Sequence, residues 1–159
     1  MTALETDILA QLICAKHQCL LQLRELGRRQ LDLIEATDMT GLLEVLSTKQ
    51  HTISQLQRIE KALNPFRDQD PDSRQWNSDE TRARCAEQLQ QCETLFAEIV
   101  SQEKCSEGEL IRRRDEAATR LQGAHLAGQV RGAYTPQPSP HLHQLDLQSQ
   151  SPFDLSSET

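Results

Sequence analysis

Between Gln30 and Leu56 the chain passes from one apolar helical pattern to another across only five polar or small residues, and this constrains every larger arrangement open to it. Leu31, Leu33 and Ile34 close the first pattern. Leu42, Leu43, Leu46, Ile53 and Leu56 open the second, with the spacing of a helix that buries one face. The intervening Ala36-Thr37-Asp38-Met39-Thr40 supplies Asp38, whose carboxylate can accept the orphan N–H groups of the helix that follows. A connection this short leaves the second helix to lie back along the first, so the stretch predicts an antiparallel helical hairpin.

The hairpin extends in both directions. Thr2 and Glu5 fit a capping box, in which the two side chains reciprocally satisfy early backbone donors. From there Leu4, Ile8, Leu12, Ala15, Cys19, Leu23, Leu26 and Ile34 advance mostly by three or four, with a second row at Leu9, Ile13, Leu20 and Leu31. An apolar stripe that wide meets two neighbours and predicts three helices. The first is expected over about 3–36. The second is expected over about 39–63, ended by Asn64-Pro65 because the residue before proline is biased away from helix. In the linker that follows, Phe66 and Trp76 read as plugs for the end of the bundle, or Trp76 as a hydrophobic staple for the next helix.

Asn77-Ser78-Asp79-Glu80 offers a second capping box and starts a third helix expected over about 78–127. Its stripe of Cys85, Leu89, Cys92, Phe96 and Ile99 is heptad-like. After Val100 it weakens, then resumes at Leu110, Ile111, Ala117, Ala118, Leu121, Ala124 and Leu126, where a helix outreaching the hairpin is expected to be incompletely covered. Gly108 inside it is either a hinge or a tolerated glycine costing about 1 kcal/mol against alanine. The expected architecture is all-α: an elongated three-helix antiparallel bundle over 1–134, followed over 135–159 by a disordered, Pro-, Ser- and Gln-rich tail carrying isolated apolar residues from Leu142 to Leu155.

Composition narrows the function classes. Only 36% of the 159 residues are apolar and 3% aromatic, lean for a round core, and the net charge of −7 argues against nucleic acid, whose phosphates need a clustered basic face. No run of about 18 apolar residues and no leader pattern is present, which predicts a cytoplasmic chain without stable membrane insertion. The five cysteines, Cys14, Cys19, Cys85, Cys92 and Cys105, include no Cys-x-x-Cys and read as small apolar side chains first. Cys14 and His17 alone do not make a metal site, and no histidine follows a glutamate by three. No phosphate loop, nucleophile elbow or catalytic carboxylate pair appears, so neither enzyme activity nor a cofactor is expected. Arg112-Arg113-Arg114, with Arg28-Arg29, reads either as a solvated face paired with Glu107, Glu109, Asp115 and Glu116 or as an anchor for an acidic partner.

Ile34-Glu35-Ala36, Asp38, Leu42-Leu43, Lys49-Gln50 and Ala133-Tyr134, taken in order, resemble the pattern of the FlgN family of flagellar type III export chaperones over roughly residues 4–135. The resemblance implies a cytoplasmic protein that binds hook-filament junction (hook-associated) subunits, keeps them from assembling and delivers them to the export apparatus. It also implies that the client is held by the C-terminal part of the chaperone, here Leu110, Ile111, Arg114, Ala117, Leu121, Ala124, Val130 and Tyr134. The alternative is a non-catalytic coiled-coil scaffold, homo-oligomeric through the Cys85–Val100 stripe.

Overall fold

The computed structural model describes residues 2–134, which form three packed α-helices: α1 (Ala3–Glu35), α2 (Met39–Arg67) and α3 (Asp79–Tyr134). The expected tail at 135–159 lies outside the described residues. The chain divides into two units, Met1–Arg114 and Asp115–Thr159.

Each helix end in the first unit has an identifiable local cause. Thr2 and Glu5 form the reciprocal capping box at α1. At the other end Thr37 N–H donates to the Ile34 carbonyl at 3.1 Å and Asp38 N–H to that of Leu33 at 2.9 Å, the two bonds of a Schellman cap. That cap requires a left-handed residue, and Thr37 supplies it at φ 58°, a strained choice for a β-branched side chain. Asp38 then caps α2 by accepting from Gly41 N–H at 2.9 Å.

α2 does not stop before Pro65; it continues to Arg67 with the proline in its last turn. The ring there forfeits one backbone bond, but continuing the helix seats Phe66 against Leu9, Ile13, Leu63 and Cys85. Arg74 donates to the Phe66 carbonyl at 2.9 Å, satisfying an acceptor at the helix end. Trp76 packs on the same cluster, so both aromatics plug this end of the bundle. The cap of α3 sits one residue later than expected. Ser78 Oγ accepts from Thr81 N–H, while the Asn77 amide reaches across to Asp7 at 2.6 Å. At its far end α3 continues past 127 to Tyr134.

Contacts between the helices fix their directions. Lys16 pairs with Glu60 and Gln30 with Lys49, so α2 descends as α1 rises. Asn77 meets Asp7 and Glu98 meets Arg24, so α3 rises alongside α1. Chain-adjacent helices are therefore antiparallel.

The core follows a stricter period than the apolar residues suggest. Along α1 it runs through Thr6, Leu9, Ile13, Lys16, Leu20, Leu23, Gly27, Gln30 and Ile34, and along α2 through Leu42, Val45, Lys49, Thr52, Leu56, Ile59, Leu63 and Phe66. Along α3 it runs through Cys85, Gln88, Cys92, Leu95, Ile99, Gln102, Ser106, Glu109 and Arg113. All three alternate steps of three and four, the seam of left-handed knobs-into-holes packing. Of the two rows expected on α1, Cys19, Leu23, Leu26 and Ile34 of the first and Leu9, Ile13 and Leu20 of the second are buried, whereas Leu4 and Ile8 are exposed. Leu43 and Leu46 on α2, and Leu89 and Phe96 on α3, likewise face outward.

The seam changes character along its length. Leu9, Ile13, Leu63 and Cys85 make one apolar cluster, and Leu20, Leu23, Cys92 and Leu95 the next. Toward the hairpin tip the interior takes in Gln30, Lys49, Thr52 and Ser106, all buried. Cys19, Cys85 and Cys92 are buried and burial pushes their thiols up, in keeping with their reading as small apolar side chains. Cys14 and Cys105 depart from it and lie exposed.

Candidate functional site

The polar interior at the tip is a set of specific contacts. Lys49 Nζ donates to Gln30 Oε1 at 2.6 Å and pairs with the half-exposed Glu103 carboxylate; burial pushes the Lys49 ammonium pKa down. Gln102 donates to the Arg24 carbonyl at 3.1 Å, and Gly27 makes that approach possible, since a Cβ there would lie 2.4 Å from Gln102 Oε1. Two turns further, Glu109 accepts from Arg112 at 2.6 Å and from Arg113 at 2.9 Å. These two guanidinium groups hold its carboxyl down to about 2. Arg113 also donates to Thr37 Oγ1 at 3.0 Å, tying α3 to the strained turn of the hairpin. Arg112 and Arg113 of the arginine run are therefore engaged with Glu109 within the first unit.

The residues expected to hold a client fall in both units. In the first, Leu110 and Ile111 are exposed, and Arg114 is exposed at its last position. They lie beside the seam rather than in it, since the seam occupies Ser106, Glu109 and Arg113. In the second unit Ala117, Leu121, Ala124 and Val130 are exposed on α3, and Tyr134 is its last residue. Leu121, Leu126 and Val130 expose 71%, 60% and 57% of their surface, fractions far above those of core leucines.

These side chains do not form one stripe. Ala117, Leu121 and Ala124, separated by four and three, share a face. Val130 follows Leu121 by nine residues, two and a half turns, which puts it on the opposite side, four residues on from Leu126. Ala118, Leu121, Gln122, His125 and Leu126 line one depression. Of these only Leu121 was expected at the site. Leu126 and Ala118 carried a signal as apolar residues of the resumed pattern, whereas Gln122 and His125 carried none, being polar residues placed only by the turn of the helix.

Among the described residues no group of three or more His, Cys, Asp and Glu side chains gathers where it could hold a metal ion. No described helix is long and apolar enough to cross a membrane. Comparison of the chain with protein-family models, with curated proteins and with solved structures finds no match.

Proposed function

We propose that the protein is a cytoplasmic flagellar export chaperone that binds hook-associated subunits, keeps them from assembling and delivers them to the type III export apparatus. The observation that carries this reading is the exposure of Leu121, with Ala117 and Ala124 exposed on the same face, on a helical segment whose other residues are mostly small or polar. Such a surface suits an amphipathic client helix, whose own apolar face is the one that would otherwise drive premature assembly. The FlgN-like residues of the hairpin add support, because Asp38 caps α2 and Leu42 and Lys49 enter its interior, roles that tie those motif positions to the bundle.

Within the second unit the client face is Ala117, Leu121 and Ala124. Leu110, Ile111 and Arg114 of the first unit, with Val130 and Tyr134, complete the proposed set. The test is binding of purified hook-associated subunits to the full chain and to Leu121→Asp. Burial of one leucine is worth about 1.5–3 kcal/mol, so losing it should weaken binding by roughly 10- to 100-fold, while the urea midpoint of the first unit stays put. Unchanged affinity in both Leu121→Asp and Val130→Asp would remove the site. No binding of any hook-associated subunit by the unaltered chain would remove the function.

A further inference from the structure

On the α3 side that faces α2, a second row of residues runs beside the buried seam. Leu89, Glu93, Phe96, Val100, Glu103 and Glu107 follow one another at intervals of four, three, four, three and four. This is the period by which a helix presents a seam to a helical neighbour. All three apolar members face solvent, and Phe96 exposes 59% of its surface, an unusual placement for one of the few aromatic residues in the chain. Beside Phe96 a cavity of about 370 Å³ opens between the helices, walled by Leu20, Leu56 and Cys92 and rimmed by Lys16, Glu60 and Glu93.

We propose that this row and its cavity are a docking groove for a basic amphipathic helix of a partner protein. An apolar anchor of the partner fills the cavity against Phe96, and lysines or arginines flanking it meet Glu93 and Glu107 and the solvent side of Glu103, whose carboxylate also pairs with Lys49. Charge decides the occupant. No lysine or arginine stands within the row itself, and at the cavity rim Lys16 pairs with Glu60 at 2.8 Å while Arg67 pairs with the same carboxylate. A second copy docked through the same row would bring three more glutamates and no lysine or arginine within that row, and an acidic helix would meet the same repulsion. A basic helix is attracted along the whole row. This surface lies wholly within the first unit and does not depend on the client face at Ala117, Leu121 and Ala124.

Two three-heptad peptides with the same leucine face, one flanked by lysines and the other by glutamates, test the proposal against the isotope-labelled full chain. The lysine peptide is expected to shift the amide signals of residues 89–107 and to bind at least tenfold more tightly than the glutamate peptide. Phe96→Ser should weaken it at least tenfold without moving the urea midpoint, and Glu93→Lys combined with Glu107→Lys should narrow or reverse the preference. All three substituted positions are exposed, so the variants fold. Equal binding of the two peptides, shifts confined to 115–134, or an unaltered affinity in Phe96→Ser would overturn the proposal. So would a dimer of the full chain in sedimentation that Phe96→Ser dissolves, because the second copy would then be the occupant.

Discussion

Removing the carboxylate of Glu103 should harm the bundle more than removing the buried charge it serves. Lys49 occupies a seam position, its ammonium lies 2.6 Å from Gln30 Oε1, and Glu103 is its only ionic partner among the described residues. Breaking a fully buried ion pair from one side costs about 3–5 kcal/mol, because an uncompensated charge stays inside. Glu103 is half-exposed, so solvent screens the pair, and about 1–2 kcal/mol is the expected loss for Glu103→Ala. Lys49→Met keeps the stem's packing and deletes the charge. It leaves Gln30 without its donor, a cost near 1 kcal/mol, offset by the desolvation no longer required. It should therefore lie within about 1 kcal/mol of the parent, and adding Glu103→Ala to it should cost almost nothing more. With a urea slope of about 2 kcal/mol/M, Glu103→Ala lowers the midpoint by roughly 0.5–1 M, measured by far-ultraviolet circular dichroism. The alkaline limb supplies a second readout. Burial depresses the folded-state Lys49 pKa below 10.5, so as pH rises through that window the unfolded chain holds more protons and stability rises. The raised thiols of Cys19, Cys85 and Cys92 act with the opposite sign but equally in both proteins, so the parent-minus-Lys49→Met difference isolates the lysine. A Lys49→Met loss equal to that of Glu103→Ala, or additivity in the double variant, would refute the reasoning.

Thr37→Gly should stabilise the protein by about 1 kcal/mol, since glycine adopts the left-handed cap without strain and only an exposed bond from Arg113 is lost; a lower thermal midpoint would contradict this. Gly108 has open space where a Cβ would stand, so Gly108→Ala should gain about 1 kcal/mol, and a loss of stability would show that the glycine is needed for its backbone. Acid should weaken the fold as Glu60 and Glu109 protonate. Burial alone raises the Glu60 carboxyl, but Lys16 and Arg67 outweigh it and hold it low, while Arg112 and Arg113 hold Glu109 to about 2. The stability from both is present above about 4.5 and is lost as pH falls through their lowered values, about 2 for Glu109, and Glu109→Gln should flatten part of that slope in pH-dependent urea melts. Amide exchange should show residues 102–113 opening at lower free energy than residues 85–99, and equal protection would argue against a weaker polar half.

The hairpin was legible because its signals were local: Asp38 caps α2, and Thr2 with Glu5 caps α1, from a few residues of sequence each. The seam was legible only where leucines marked it. Thr6, Gly27, Gln30, Lys49 and Ser106 sit at core positions whose chemistry hides them from any hydropathy pattern, and only following the three-four period through polar residues would have found them. The same blindness kept Leu4 and Ile8 in the α1 stripe, since they looked as buried as Leu9 and Ile13. Pro65 misled because a proline in a last turn forfeits only one bond, less than the packing of Phe66 returns. At the candidate client face, apolar residues could be counted from the sequence, but their division between opposite sides depended on the helix remaining regular from Ala117 to Val130.

The two halves of the α3 seam explain how one helix can be both anchored and adaptable. Between Cys85 and Ile99 it is held by apolar burial, which has no directional requirement and is worth about 1.5–3 kcal/mol for each large side chain. Between Gln102 and Arg113 it is held by hydrogen bonds and ion pairs to Arg24, Lys49 and Thr37, each worth nearer 1 kcal/mol net and each dependent on one geometry. Directional contacts of this kind set register: slipping α3 by one residue would bury Glu103 in place of Gln102 and leave Lys49 and the Arg24 carbonyl without partners. The apolar half thus supplies most of the affinity of α3 for the hairpin and the polar half its alignment. That alignment determines where the outward row of Leu89, Phe96 and Val100 stands relative to α2, and so whether the cavity beside Phe96 exists at all.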